Sequence, residues 1–200
     1  LRNSIMRDSE KLIFSLILIS ILLGCYLYTI MPPLMASHWN AKGEVDGYMP
    51  RFWAVFLMPM MSVIMFMIFL IIPRADPLKE NIDKFRKHYD LFIIWIFVFM
   101  FYLYVLTLLW NMGVVFSMTA YLAPAFGLLF FYAGVLISKA KTNWSVGIRT
   151  PWTMSSEKVW EKTHFIGGRL FKAAGLVALL GVFFPSYAIM ESVERFLEHS

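Results

Sequence analysis

The chain has 200 residues, of which 60% are hydrophobic and only 16% are charged. Soluble domains carry about 25% charged residues, so the composition excludes an ordinary soluble domain and indicates that lipid surrounds much of the surface. The single cysteine, Cys25, excludes an internal disulfide framework and a multi-cysteine zinc site. The net charge of +5 comes from basic residues beside apolar runs, which indicates orientation in a membrane rather than binding of nucleic acid.

Long uncharged runs predict an all-α fold, a polytopic transmembrane helical bundle. A helix needs about 20 apolar residues to cross a bilayer. The uncharged runs predict five spans, at about 12–31, 52–73, 90–110, 116–138 and 170–190. Pro32 should end the first span, and Asn111 and Gly113 should form the turn between the third and fourth. The first run resembles a signal sequence at its basic start, but it continues through Met31, so a retained helix is predicted.

Lys and Arg residues predict the orientation of the bundle. The segment before the first span holds three of the 18, the segment between the second and third spans holds five, and residues 139–172, from the end of the fourth span into the start of the fifth, hold seven. The positive-inside rule therefore predicts a multi-pass protein of the cell membrane with a cytoplasmic N-terminus. The loop at 32–51 is then extracellular, and residues 139–169 are cytoplasmic.

The predicted outer loop is rich in turn-forming and aromatic residues. Turns are expected at 40–43 and at 45–48, where glycine supplies a positive φ, and His38 and Asp46 should converge across them. Three readings stay open: a compact loop anchored by aromatic rings, a binding site for a peptide or lipid headgroup, and a metal site with an incomplete ligand set. The candidate binding residues are His38, Trp39, Asn40, Gly43, Asp46, Gly47 and Tyr48.

The predicted inner segment, residues 143–168, should contain an amphipathic helix on the membrane surface at about 156–165. Pro151 favours an extended Thr150, and Ser155 suits the N-cap. Val159, Trp160 and Thr163 should share one face, while Glu157, Lys158, Glu161 and Lys162 face water. Gly167 and Gly168 should end this helix before the fifth span.

Arg149 lies between Trp144 and Trp152, where a guanidinium can stack on a ring or bind a phosphate. The open alternatives are a position among the headgroups, specific recognition, and a clamp within the bundle. Glu161 and His164 have the spacing of a metal motif, but a single copy is expected to form a surface pair. No metal or cofactor is predicted.

These two segments resemble known families. The inner segment resembles the SdpI family signature, and the outer one, with Pro32, resembles the uncharacterised N-terminal domain that often precedes it. The division expected is a membrane domain at 1–73 and an SdpI-like domain at 74–200. The matching inner residues are Asn143, Trp144, Gly147, Ile148, Arg149, Thr150, Pro151, Trp152, Thr153, Ser156, Glu157, Val159, Trp160, Thr163, His164, Gly167 and Gly168.

The resemblance implies a non-enzymatic immunity protein that protects a cell from a secreted peptide toxin. The implied partners are the lipid bilayer, the toxin and a cytoplasmic transcriptional repressor that receives a signal. The inner motif would serve structure or recognition. The family usually has six spans, so a sixth would lie beyond residue 200.

Two other functions stay open. One is a membrane enzyme at the cytoplasmic headgroups, with His164, Arg149, and Glu157 or Glu161 as its polar groups. The other is a small transporter, although the predicted spans carry no ionisable residue at mid-membrane depth, which disfavours ion coupling.

Overall fold

The computed structural model describes residues 7–40, 42–114 and 116–180. Within them the order is helix, hairpin, then helices. The elements are α1 (Asp8–Leu27), β1 (Leu34–Trp39), β2 (Val45–Pro50), α2 (Arg51–Ala75), α3 (Lys79–Lys84), α4 (Arg86–Asn111), α5 (Met118–Lys139), α6 (Pro151–Ser155) and α7 (Glu157–Leu180).

Among the residues that the structure describes, four helices are long and apolar enough to cross a bilayer: α1, α2, α4 and α5. They coincide with the first four predicted spans, so the polytopic helical architecture is confirmed. The fifth predicted span, 170–190, lies partly outside the described residues, and its described part continues α7. The helices of the bundle pack in a series: α1 contacts α2 and α4, α4 contacts α5, and α5 contacts α7.

The first two helix bounds differ from the prediction. Helix α1 begins four residues earlier than expected, since Glu10 accepts the backbone N–H of Arg7 at 3.0 Å and so satisfies the start of the helix. It also ends before Pro32, at Leu27, because the chain must turn into β1. Helix α2 runs through Pro73 to Ala75, with that proline buried in its last turn.

The outer loop is an antiparallel β-hairpin, which the sequence did not predict. The Gly43 N–H donates to the Asn40 carbonyl oxygen at 2.9 Å and Gly43 has a φ of 81°, in agreement with the first expected turn. The second predicted turn, 45–48, is wrong, because these residues belong to β2 and Gly47 pairs with His38. The register of the strand pairing shifts on both sides of His38. The turn-forming residues of this segment therefore belong to an irregular strand, which the sequence pattern did not indicate.

The predicted interfacial helix is also different in the structure. Helix α7 continues without a break through Gly167 and Gly168, so these glycines do not end it. They pack closely instead: a Cβ at Gly168 would lie 2.8 Å from the carbonyl oxygen of Gly134 in α5. The glycines are therefore the contact surface on which α7 runs antiparallel to α5.

The loops collect at opposite ends of the bundle. At one end, named here the hairpin end, the β-hairpin contacts Asn111 and lies beside Ser117. At the other, the motif end, residues 140–156 contact Asp76 and Asn81. Two buried apolar clusters lie in the bundle, one of which includes Tyr104 and the other Trp160.

Candidate functional site at the two ends of the bundle

The turn of the hairpin is organised by Asn40. Its Oδ1 accepts the backbone N–H groups of Lys42 at 2.9 Å and Glu44 at 3.0 Å, and its Nδ2 donates to the Glu44 carboxylate. This is the local side-chain bonding that makes asparagine a turn former. Asn40 therefore shapes the turn from within.

His38 and Asp46 meet on the outside of the hairpin. The His38 Nδ1 lies 2.5 Å from the Asp46 Oδ1, and both side chains are exposed. They face each other across β1 and β2 rather than across two turns. Tyr48 is also exposed, 59% of its surface being accessible, so the hairpin presents polar and aromatic groups to its surroundings.

Asn111 fixes the hairpin to the bundle, a role that the sequence did not indicate. Its Nδ2 donates to the carbonyl oxygen of Ala36 at 3.0 Å, and its Oδ1 accepts the N–H of Ala36 at 2.8 Å. A primary amide can satisfy both backbone groups of one strand residue in this way. The turn predicted at Asn111 begins one residue later, since Asn111 is the last residue of α4 and Gly113 has the positive φ.

A cavity of about 350 Å³ lies beneath the hairpin. Its walls come from β1, β2 and the neighbouring turns of α2, α4 and α5, and most lining side chains are apolar. Trp39 and Tyr104 line it, and within the described residues their Nε1 and Oη are the buried side-chain polar atoms that lack a hydrogen-bond partner. A buried group left without a partner costs about 1–3 kcal/mol.

At the motif end, Asn143 is fully buried and organises the loop around it. Its Oδ1 accepts the N–H groups of Ser145 and Val146, and its Nδ2 donates to the carbonyl oxygens of Lys141 and Val146. All four bonds lie between 2.6 and 2.9 Å. The amide thus uses its full bonding capacity on backbone groups, which holds the loop in one shape.

Asp76 ties this loop to the end of α2. Its Oδ2 accepts the Trp144 N–H at 3.0 Å and the Ser145 hydroxyl at 2.5 Å, while its Oδ1 accepts the N–H of Leu78. The side chain is 4% exposed, unusual for a carboxylate. Sequence reasoning missed it. The available signal was an aspartate directly before Pro77 at the end of an apolar run.

Trp160 and His164 form the buried centre of the motif end. Their rings stack with centroids 3.9 Å apart, and the Trp160 Nε1 donates to the Ala140 carbonyl at the end of α5. Beside them Gly147 has a φ of 125°, and a Cβ there would collide with the His164 Nε2. The loop can approach the histidine only because this residue is glycine.

Both ring nitrogens of His164 bond to the backbone. The Nδ1 lies 2.8 Å from the Trp160 carbonyl oxygen, and the Nε2 accepts the N–H of Ile148 at 2.9 Å. One donor and one acceptor are the pattern of a neutral imidazole protonated at Nδ1. Burial lowers the pKa of His164, and the bond to Trp160 opposes that shift in part.

We expect acid to destabilise the motif end through His164. Because the folded pKa is below the unfolded value of about 6.5, the neutral ring stabilises the fold above that pH, and this contribution is lost as the pH falls towards the folded pKa. Protonation also places an N–H of the ring against the N–H of Ile148. Thermal unfolding in detergent micelles between pH 8 and pH 5 should show this loss.

His164→Gln is the matched control, because glutamine offers a donor and an acceptor but does not titrate. The remaining histidines are shared by both proteins, so the difference between the two pH profiles isolates His164. Identical slopes in the two proteins below about pH 6.5 would contradict the assignment.

The turn before α7 is built by Thr150 and Thr153. Thr150 is extended, as predicted for a residue before proline, and caps α6, with each threonine hydroxyl accepting the N–H of the other residue. The predicted N-cap at Ser155 is wrong by one residue. Ser155 closes α6, and the Ser156 Oγ accepts the N–H of Val159 at 3.5 Å at the start of α7.

The two faces of the first half of α7 match the prediction in part. Trp160 is buried and Thr163 half-buried, and Glu157, Lys158, Glu161 and Lys162 are exposed. Val159 is exposed, however, contrary to the prediction. The predicted pair of Glu161 and His164 does not form, because Glu161 pairs with Lys141 at 3.0 Å and His164 points into the protein.

The exposed group at the motif end consists of Trp144 and Arg149 on the loop and Trp152 on α6. The Arg149 guanidinium donates to the Trp144 carbonyl oxygen, whereas the cation–π pairs in the described chain belong to Arg51, Arg86 and Arg169. Trp152 is 72% exposed. Arg149 thus anchors the loop backbone and leaves both rings accessible.

The polar groups of the enzyme hypothesis do not converge. Both His164 nitrogens are used by the backbone, Glu161 is paired with Lys141, and Arg149 with Trp144. The described residues also hold no cluster of three or more His, Cys, Asp or Glu side chains arranged for a metal ion. The motif end therefore has the features of a braced structural loop rather than of an acid–base centre.

Comparison with known proteins gives two family matches and one similar protein. Residues 139–196 match the SdpI/YfhL protein family, and residues 15–63 match a domain of unknown function, DUF1648. Immunity protein SdpI of Bacillus subtilis (strain 168) is 22% identical over 184 residues, which cover 90% of this chain and 86% of that protein. No solved structure matches significantly. The resemblance noted in the sequence is confirmed: the chain is similar to the SdpI/YfhL family in residues 139–196 and to DUF1648 in residues 15–63, in the expected order.

Proposed function

We propose that this protein is a membrane immunity protein, which protects the cell that carries it from a secreted peptide toxin. The observation that carries the proposal is the alignment with Immunity protein SdpI over 90% of the chain. The geometry supports it, since the special residues lie at two ends of a helical bundle and the motif end is braced rather than catalytic. Protection then depends on binding at the membrane and not on turnover.

We place the N-terminus and the motif end in the cytoplasm and the hairpin outside, following the distribution of Lys and Arg. The hairpin end then meets the toxin as it arrives at the membrane. The division into a domain at 1–73 and one at 74–200 belongs to the same proposal. Helix α2 spans this boundary and joins the two ends, from Pro50 of the hairpin to Asp76, which holds the inner loop.

The motif end would pass the signal to a cytoplasmic regulator. The exposed group of Trp144, Arg149 and Trp152 supports this part, because aromatic and arginine side chains dominate the binding energy of protein interfaces. A transcriptional repressor held at the membrane is the partner that the family resemblance suggests.

Survival of toxin-sensitive Gram-positive cells tests the proposal. Cells expressing this protein should outlive cells with an empty vector when exposed to a panel of secreted peptide toxins. Asn111→Ala, which releases the hairpin, should remove protection, whereas Arg149→Ala should retain it and lose only the response of a reporter for the regulator. Absence of protection by well-inserted protein against every toxin of the panel would contradict the proposed function.

A further inference from the structure

The cavity beneath the hairpin combines an apolar wall with unused polar groups. Flexible apolar side chains line it, among them Met49, Leu57, Met61 and Met118. Methionine adapts to irregular surfaces and is common where partners vary. The volume of about 350 Å³ lies at the lower end of the range for ligand pockets, about 300–1,000 Å³.

Two residues that line this cavity carry a buried polar atom without a hydrogen-bond partner in the described chain. The Trp39 indole is held edge-on against Trp110, with ring centroids 5.7 Å apart, yet its N–H finds no acceptor in the described chain. Tyr104 is 2% exposed and its hydroxyl is unsatisfied as well, but this hydroxyl faces Gly24 of α1, where a Cβ would lie 2.7 Å from it. Buried polar groups are nearly always bonded, so the unsatisfied N–H of Trp39, a residue that lines the cavity, indicates a bound group that supplies an acceptor.

The rim of the cavity at the hairpin is polar and exposed. His38 lines the cavity and also pairs with Asp46 on the exposed side of the hairpin. An occupant must therefore be apolar in the interior and polar where it leaves the bundle. A peptide segment meets both demands, because its side chains can be apolar while its backbone carries a carbonyl at every residue. A lipid acyl chain has no acceptor along its length.

We propose that the hairpin cavity binds an apolar segment of a secreted peptide, with one of its backbone carbonyl oxygens accepting the Trp39 N–H. This inference rests on the proposed function and names the part of the protein that takes the toxin. The hairpin covers the segment, and because Leu57 of α2 lines the cavity and is 40% exposed, we take it as the mouth by which the segment enters.

Photolabelling tests the site independently of immunity. The full chain is placed in vesicles of phosphatidylethanolamine and phosphatidylglycerol and exposed to a short peptide of Leu, Val and Ala with one photoactivatable leucine analogue. Mass spectrometry should locate the label on cavity residues of β1, α2 and α5. Labelling spread evenly along the lipid-facing side of α2, or label found on phospholipid alone, would overturn the proposal.

Leu57→Trp and Ile64→Trp form a matched pair of variants. Both residues are exposed apolar positions of α2, seven residues apart on the same face, but only Leu57 lines the cavity. Filling the mouth should lower labelling about tenfold in Leu57→Trp and leave it unchanged in Ile64→Trp. Equal labelling of both variants would count against the cavity.

Trp39→Phe separates binding from folding. The indole N–H has no partner in the free protein, so its removal should leave thermal stability close to that of Trp110→Phe, the other ring of the pair. Labelling should nevertheless fall about tenfold in Trp39→Phe alone, since it loses the bond to the peptide. A fall that is the same in both variants would reveal a packing role and refute the hydrogen bond.

Survival and labelling together distinguish the two proposals. Protection that persists in Leu57→Trp at the wild-type level would overturn the cavity and leave the immunity function standing. Labelling of the cavity by a chain that protects against no toxin would overturn the function and support the cavity as a site for apolar peptides.

Discussion

Gly168→Leu is expected to force α7 away from α5 and to lower the free energy of unfolding by about 3 kcal/mol, the upper part of the range for overpacking. A Cβ at Gly168 would lie 2.7 Å from the Ser138 Cβ and 2.8 Å from the Gly134 carbonyl oxygen. The obstacle is backbone and a short side chain, so rotation of a flexible group cannot relieve it. Unfolding by SDS in mixed micelles measures the loss.

Ala173→Leu is the control for this substitution. It lies on the same helix five residues later and is exposed, so the added side chain meets lipid instead of α5. We expect its stability within about 0.5 kcal/mol of the wild type, as for surface substitutions away from special features. Equal destabilisation by both variants would mean that α7 does not pack on α5 through its glycines.

Asn143→Ala is expected to loosen the inner loop and to lower the free energy of unfolding by about 2–3 kcal/mol, because it leaves several buried backbone groups without a partner. The lost bonds are those to Lys141, Ser145 and Val146. Hydrogen exchange should rise first at the N–H groups of Ser145 and Val146, which the Asn143 side chain holds directly.

Asn40→Ala is the comparison variant, because it also removes an asparagine that bonds to backbone groups but at a solvent-exposed position. Asn40 also bonds to backbone groups of its own turn, but these bonds are exposed, so water can replace them. Asn40→Ala should lower the free energy of unfolding by less than about 1 kcal/mol, the usual net contribution of a hydrogen bond. If the two variants were equally destabilised, burial would not be what makes Asn143 important.

The spans could be predicted because they depend on local properties. Uncharged runs of sufficient length have few alternatives in lipid to a helix that satisfies its own backbone, and α1, α2, α4 and α5 appear where those runs lie. The hairpin could not be predicted in this way. Its turn signals at 40–43 and 45–48 are equally strong in sequence, and pairing with His38 decides that Gly47 is a strand residue.

The sequence by itself thus determined the membrane class, the four described spans, and the two segments that resemble known families. Tertiary structure alone decided which side chains hold those segments. Asn111 binds Ala36 across 75 residues, and Asp76 reaches Trp144 across 68. The physical reason is that a polar residue at a helix end can bond to water, to its own turn or to a distant strand, and packing of the bundle selects among these partners.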